Sequence, residues 1–215
     1  MPLRKIAFVT ALIVAGLSAA HGQVTVYTTK GAFDTAAQAT GSLAFTYDLN
    51  TAAGTSGNVT LGAVTITNPD AYGFPNLNAQ NSVDSTGYYR FDVDGSTTVT
   101  FTFANPVTAF GFETNPHSNG LGITLTATVG GTSVGYTNPV TDVTEFRGFV
   151  SSSPFTTFVI SNPGSTTETY GIDNLVGYAS AIPEPGSYAT LVGLFIAGFT
   201  VLHSRRRPSG SHATS

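Results

Sequence analysis

The sequence predicts an all-β domain, an antiparallel sandwich of jelly-roll type. Three observations predict it. Apolar residues alternate with Thr and other small polar residues in run after run, the period of a strand with one buried face. Turn dipeptides separate the runs at short intervals, the spacing of all-β folds. No long stretch of the middle of the chain shows helical periodicity.

Taken in order, the first element is the exception. Phe33 to Thr40, flanked by Gly31 and Gly41, reads as one short helix. Strand-like alternation then follows at Leu43–Leu49, Val64–Thr67, Tyr88–Val93, Thr97–Phe103, Ile123–Val129, Thr132–Thr137 and Phe155–Ile160. These runs are rich in β-branched and aromatic residues, which suit a pleated surface. Asn68-Pro69, Asn105-Pro106, Asn119-Gly120, Asn138-Pro139 and Asn162-Pro163 read as breaks. Asp94-Gly95 and Gly130-Gly131 lie between adjacent runs and predict two tight hairpins.

Composition supports a packed domain with a neutral surface. Charged residues are 9% of the 215, against roughly 25% in an average soluble domain. Fifteen Phe and nine Tyr supply core area, which excludes a disordered chain. With no Cys, disulfides, thiolate metal sites and a Cys nucleophile are all excluded. Between Gln23 and Ile182, three basic residues (Lys30, Arg90, Arg147) stand against eleven acids, a net −8. That charge argues against nucleic acid as a partner, since phosphate binding needs clustered Lys and Arg.

The ends carry the remaining cations. Arg4 and Lys5 precede an apolar run from Ile6 that closes on small residues near Ala20, the three-part pattern of a secretory signal peptide. The pattern covers 1–22, with cleavage after Gly22 preferred and after Ala20 as the alternative. At the other end, Pro183, Glu184 and Pro185 precede an uncharged apolar run from Ser187 to Leu202, then Arg205, Arg206 and Arg207. The run has about the length of a short membrane-spanning helix. The arginines suit the cytoplasmic side and leave the acidic domain outside.

The Pro-Glu-Pro motif, short helix and Arg cluster, in that order, resemble the PEP-CTERM sorting signal. The resemblance covers about the last 30 residues. It implies a Gram-negative bacterium that makes exopolysaccharide, recognition by an exosortase after signal peptidase has acted, and an anchor that is either cleaved or retained. The polar tail 208–215 departs from members that end soon after the basic cluster. Residues 23–180 form the predicted sandwich and 181–207 the sorting signal. The second half also resembles a lectin-like jelly roll of related secreted proteins, through Val107–Phe112, Phe146–Ser151, Pro154–Ile160 and Tyr170–Leu175.

Catalytic chemistry is sparse. Gly131-Thr-Ser133-Val-Gly135 matches the hydrolase Gly-x-Ser-x-Gly pattern, but that chemistry needs a strand-to-helix turn, a His and an acid. Ser133 reads instead as a hairpin residue. His117 is the domain's one His, too few for a zinc site. Calcium, which takes six to eight oxygens, is the one metal that the residue types suit. Asp92 and Asp94 flank Val93 and can share a strand face, and Asp173 adjoins Asn174; the alternative is that these are turn formers. Glu113 and Asn115 make another i, i+2 pair. The expected function is that of a non-enzymatic exported surface or matrix protein associated with exopolysaccharide. The alternative is a carbohydrate-binding module with the same tail, using aromatics such as Tyr72, Phe74, Tyr88 and Tyr136 as platforms.

Overall fold

The computed structural model describes residues 22–49, 58–67, 83–84, 89–116, 124–137, 143–164 and 167–180. The signal-peptide residues 1–21 and the sorting signal and tail, 181–215, lie outside them, as do His117, Tyr72, Phe74 and Tyr88. Among the described residues, no helix is long and apolar enough to cross a membrane.

The elements run β1 (Val24–Tyr27), α1 (Lys30–Thr40), β2 (Gly41–Tyr47), β3 (Asn58–Leu61), β4 (Val64–Thr67), β5 (Tyr89–Val93), β6 (Thr98–Pro116), β7 (Thr124–Val129), β8 (Thr132–Thr137), β9 (Glu145–Ser161) and β10 (Glu168–Ser180). Among the described residues every strand pairing is antiparallel. The predicted antiparallel sandwich is therefore present, with its two layers continuous through shared strands.

Two strands are much longer than their sequence runs. β6 passes through Asn105-Pro106, which reads in the sequence as a break, and β9 passes through Ser151–Pro154. The first half of β6 pairs with the second half of β9, and the second half of β6 with the first half of β9. The register between them shifts from Thr102 to Val107 and again to Ala109. Proline lacks an N–H to give the ladder and is tolerated at such bulges. Pro106 thus bends a strand from one layer into the next without ending it. One layer holds β3, β4, the first half of β6, the second half of β9, β7 and β8. The other holds β1, the first half of β9, the second half of β6, β10, β2 and β5.

The core lies between these halves. Phe101, Phe103 and Phe158 of one layer meet Phe110, Phe112 and Phe149 of the other. Ring centroids are 4.8 Å apart for Phe149–Phe158, and 5.0 Å for both Phe101–Phe110 and Phe103–Phe110. Such pairs add about 0.5–1.5 kcal/mol each beyond the area they bury. The alternation that predicts the strands points these rings inward. The intervening Thr residues point outward and align across strands: Thr60 faces Thr65, Thr65 faces Thr102 and Thr102 faces Thr157.

The helix closes a second, smaller core on the outer face of the other layer. It begins three residues earlier than its pattern suggests, at Lys30. Phe33 and Ala37, one turn apart, bury against Ala109, Phe146, Val150, Val176 and Tyr178. Phe33 sits directly over Gly148, where a Cβ would overlap its ring. Tyr178 donates its hydroxyl to Asp34 at 3.0 Å and ties the helix to β10.

The two predicted hairpins turn out differently. Gly130 and Gly131 both take positive φ, 54° and 89°, and β7 pairs with β8 in the expected register. That is the backbone a two-residue hairpin turn requires. At Asp94-Gly95 a turn forms, but β5 pairs with β10 while β6 pairs with β4, β9 and β10. Gly95 does not take positive φ. Asp94 Oδ1 instead accepts the N–H groups of Ser96 and Thr97 at 2.7 and 2.8 Å. This side-chain-capped corner sends the chain from one layer to the other.

Candidate functional site

The site forms where β10 changes neighbours. Along the edge away from β6, residues 168–172 of β10 pair with β5, and residues 175–180 pair with β2. Asp173 and Asn174 fall in the gap between those two partners. The register with β6 also breaks between Asp173 and Val176. Here Asn174 takes φ 51°, the one positive value for a non-glycine among the described residues. Asn tolerates that left-handed region better than most residues.

The gap is filled by side-chain hydrogen bonds in place of a strand ladder. Asp173 Oδ1 accepts the backbone N–H of Leu49, just past β2, at 2.9 Å, and that of Asn174 at 2.6 Å. Asn174 Nδ2 donates to Glu113 Oε2 on β6 at 2.8 Å. Glu113 is the cross-strand neighbour of Asp173. Asp173 is 0% exposed, and its second oxygen has no hydrogen-bond partner among the described residues. Burial pushes its pKa up to about 6; the two backbone N–H bonds oppose the rise, and the charges of Asp84 and Asp48 add to it.

Beside this junction opens a cavity of about 300 Å³, lined by Lys30, Thr46, Tyr47, Asp48, Glu113 and Asn174 and backed by Leu175 and Val176. Tyr47 lies between the lining residues Thr46 and Asp48 with its ring on the core side of the sheet. Its ring stacks on Phe45 at 5.2 Å, and its hydroxyl accepts the N–H of Ala63 at 2.8 Å. Lys30 Nζ is held by Asp34 at 2.6 Å. The lining side chains carry an ammonium, one amide, two carboxylates and a hydroxyl. They can donate and accept hydrogen bonds around a small polar ligand.

The three aspartates that suit calcium in the sequence do not converge. Asp92 Oδ1 accepts the hydroxyl of Thr169 across the β5–β10 pair. Asp94 caps its turn with four hydrogen bonds from Ser96 and Thr97, which hold its pKa well below the usual carboxylate range. Asp173 lies four positions beyond Thr169, about 13 Å at the usual rise of a strand. Among the described residues, no three His, Cys, Asp or Glu side chains lie close enough to hold a metal ion.

Other sequence candidates sit in packing or turn roles. Ser133 is on β8, with its hydroxyl 3.0 Å from that of Thr128. Tyr136 is buried, its ring edge-on to Phe149 at 5.4 Å. Among the described residues, the large exposed apolar side chains are Leu43 and Val143, neither aromatic. Glu113 and the Asp173-Asn174 pair stand out in the sequence, but as separate features. Lys30, Tyr47 and Asp48 carry no local signal, because four chain segments must meet before they share a cavity.

No known family profile matches this chain, and no curated protein matches it. Three solved structures illustrate the distant similarities that exist. The catalytic domain of a GH87 alpha-1,3-glucanase in complex with nigerose has a TM-score of 0.38 at 13% identity, over 65% of this chain and 29% of its own. The catalytic unit of a GH87 alpha-1,3-glucanase from Streptomyces thermodiastaticus has a TM-score of 0.36 at 15% identity, over 66% and 28%. A mutant of a family 29 carbohydrate binding module, CBM29-2, has a TM-score of 0.34 at 13% identity, over 66% and 99%. The match therefore spans less than a third of either glucanase chain.

Proposed function

We propose that the domain is a non-catalytic glycan-binding module of an exported surface protein, and that the cavity at the β2–β5 gap is its binding site. The observation that carries this reading is the convergence there of Asn174, Glu113, Asp48, Thr46 and Lys30 in one cavity. Sugars offer adjacent hydroxyls that pair with amides, carboxylates and ammonium groups. The cavity's volume is at the lower end of small-ligand sites, the scale of one or two sugar rings. The surrounding surface fits an exopolysaccharide environment, being rich in Thr and poor in charge.

A binding role without turnover is favoured by the state of the carboxylates. Glu113, one of the two carboxylates that line the cavity, is tied to Asn174, and the nearby Asp173 is fully buried and held by two backbone N–H groups. A glycosidase needs two carboxylates free to act on opposite sides of the bond. In this proposal Pro183, Glu184 and Pro185 direct the protein through an exosortase, with Arg205–Arg207 inside, so that Gln23 to about Ile182 becomes the exposed product.

Calorimetry of the full-length protein against a panel of oligosaccharides tests the binding reading. Saturable binding that Glu113→Ala removes is the expected result; heat-free titrations across neutral, basic and acidic glycans would refute it. Release of reducing ends from any bound glycan would refute the non-catalytic part. Expression with and without an exosortase tests the address: an unchanged mass in the two hosts removes the processing step.

A further inference from the structure

We infer that β8 is a docking edge for a second copy of this chain, and that two domains join there through an antiparallel strand pair centred on Gly135. This does not depend on the glycan-binding reading.

Strand β8 ends one layer, with β7 on one side and, among the described residues, no strand on the other. A free edge invites pairing with another chain, and proteins blunt it with short strands, bulges, charges or proline. The other edge strands carry such devices. β1 and β3 are four residues long, β2 has a register shift opposite Gly177 and Tyr178, and β5 carries Arg90 and Asp92. β8 runs over six residues, Thr132–Thr137, in unbroken register and without charge or proline.

The two-residue turn at Gly130-Gly131 fixes which groups face out. Thr132, Val134 and Tyr136 direct their N–H and C=O groups to β7, while Ser133, Gly135 and Thr137 direct theirs away from it. Two side-chain bonds mark the ends of this edge. Thr132 Oγ1 donates to the Gly22 carbonyl at 3.2 Å, and the Thr137 carbonyl accepts from Arg147 Nε and Nη2 at 3.2 and 2.9 Å. Between them the strand is open. Ser133, Gly135 and Thr137 are all exposed. Among the described residues, a Cβ on Gly135 would meet only β7 atoms within 4 Å: Thr124 Cγ2 at 3.7 Å and Leu125 O at 4.0 Å.

Two observations select a second copy as the occupant. The first is symmetry. Ser133-Val134-Gly135-Tyr136-Thr137 has the same order of residue classes in both directions: hydroxyl, apolar, glycine, apolar, hydroxyl. A two-fold interface sets one surface patch against itself. Gly135 then meets its own counterpart, Ser133 meets Thr137, and Val134 meets Tyr136 across the axis. Val134, half-buried at the margin of the core, gains an aromatic neighbour, a pairing that stabilises antiparallel strands. The second observation is charge. Residues 23–182 carry a net −8, and such a charge opposes self-association. β8 has no charge of its own, and Arg147 at its end is paired with Glu145 at 2.6 Å. Two acidic domains can meet there without setting carboxylate against carboxylate.

A single strand pair is small against the roughly 1,200–2,000 Å² of stable complexes, so the dimer is weak in solution. Sedimentation velocity of the full-length protein from about 10 μM to about 1 mM should show a monomer–dimer equilibrium. Gly135→Pro removes the N–H at the axis and spares the β7 ladder; it should hold the protein monomeric. A parent that is monomeric throughout leaves the edge to a strand of some other chain and overturns the inference. A dimer that Gly135→Pro leaves unchanged also overturns it. Cross-linking supplies a second measurement. The chain has no Cys, and hydrogen-bonded opposite residues in an antiparallel pair lie about 5.5 Å apart at Cα, inside the disulfide range. Under mild oxidation, Gly135→Cys should form a disulfide dimer roughly tenfold faster than Leu43→Cys, an exposed site on β2. Equal rates overturn the inference even if the proline variant does not fold.

Discussion

Asn174 takes a left-handed backbone, φ 51°, and places its Nδ2 2.8 Å from Glu113 Oε2 on the neighbouring strand. The two facts have one origin. β10 loses one edge partner before it gains the next, and the chain turns through Asn174 to restore pairing with β2. The side chain that the turn presents is the one that bridges to β6 beside the cavity.

Backbone and side-chain roles of Asn174 can therefore be separated. Asn174→Gly keeps the left-handed conformation, and its stability should fall by about 1.5–3 kcal/mol, the scale of one lost hydrogen bond to a charged group. Asn174→Ala adds the left-handed penalty of roughly 1–2 kcal/mol. Both variants should lose glycan binding. Urea denaturation ranks them, and an alanine variant as stable as the glycine one would show that the conformation costs nothing here.

Asp173 makes a prediction about pH. Its folded pKa is raised from 3.8 to about 6, so the folded protein holds this proton more tightly than the unfolded chain does. Its contribution is fully present below about 3.8 and is lost as pH rises through about 6. Asp173→Asn keeps an oxygen to accept from Leu49 and Asn174 but carries no charge. The variant should gain stability relative to the parent above that window and show a flatter Tm profile across it. Parallel Tm–pH curves for the two proteins would sink this assignment.

Asp94 titrates in the opposite sense. Hydrogen bonds from Ser96 and Thr97 lower its folded pKa. Its contribution is present above the ordinary carboxylate value and is lost as pH falls below it. Asp94→Ala should lower Tm at neutral pH, by equal amounts with calcium and with chelator, because its Oδ1 holds the turn and, among the described residues, no cluster of acids stands beside it. A deficit that appears only when calcium is present would instead make it a ligand.

Gly148 keeps the helix docked. Gly148→Ala would drive its new methyl into the rings of Phe33 and Phe146. Overpacking of this kind costs about 1–3 kcal/mol, and here it should lift α1 off the sheet. Amide exchange in residues 30–40 should quicken. In combination with Phe33→Ala the glycine substitution should cost much less than it does alone. Additive losses in that double-mutant cycle would place the strain elsewhere.

The sequence by itself determined the class of fold, the helix and most strand positions. Alternation and the two glycines of the β7–β8 turn are local signals, and local geometry obeys them. It also determined the domain's charge and marked Glu113, Asp173 and Asn174 one pair at a time. Only the tertiary structure decided which strands pair, because a strand's alternation says which face is buried and nothing about its neighbour. Pro106 and Pro154 therefore read as breaks or boundaries, yet they lie inside strands that build both layers. Asp94-Gly95 reads as a hairpin, yet its two strands pair with other strands and not with each other. The cavity belongs to the same level. Lys30, Tyr47, Glu113 and Asn174 come from four segments, and they meet because β10 changes partners at Asp173.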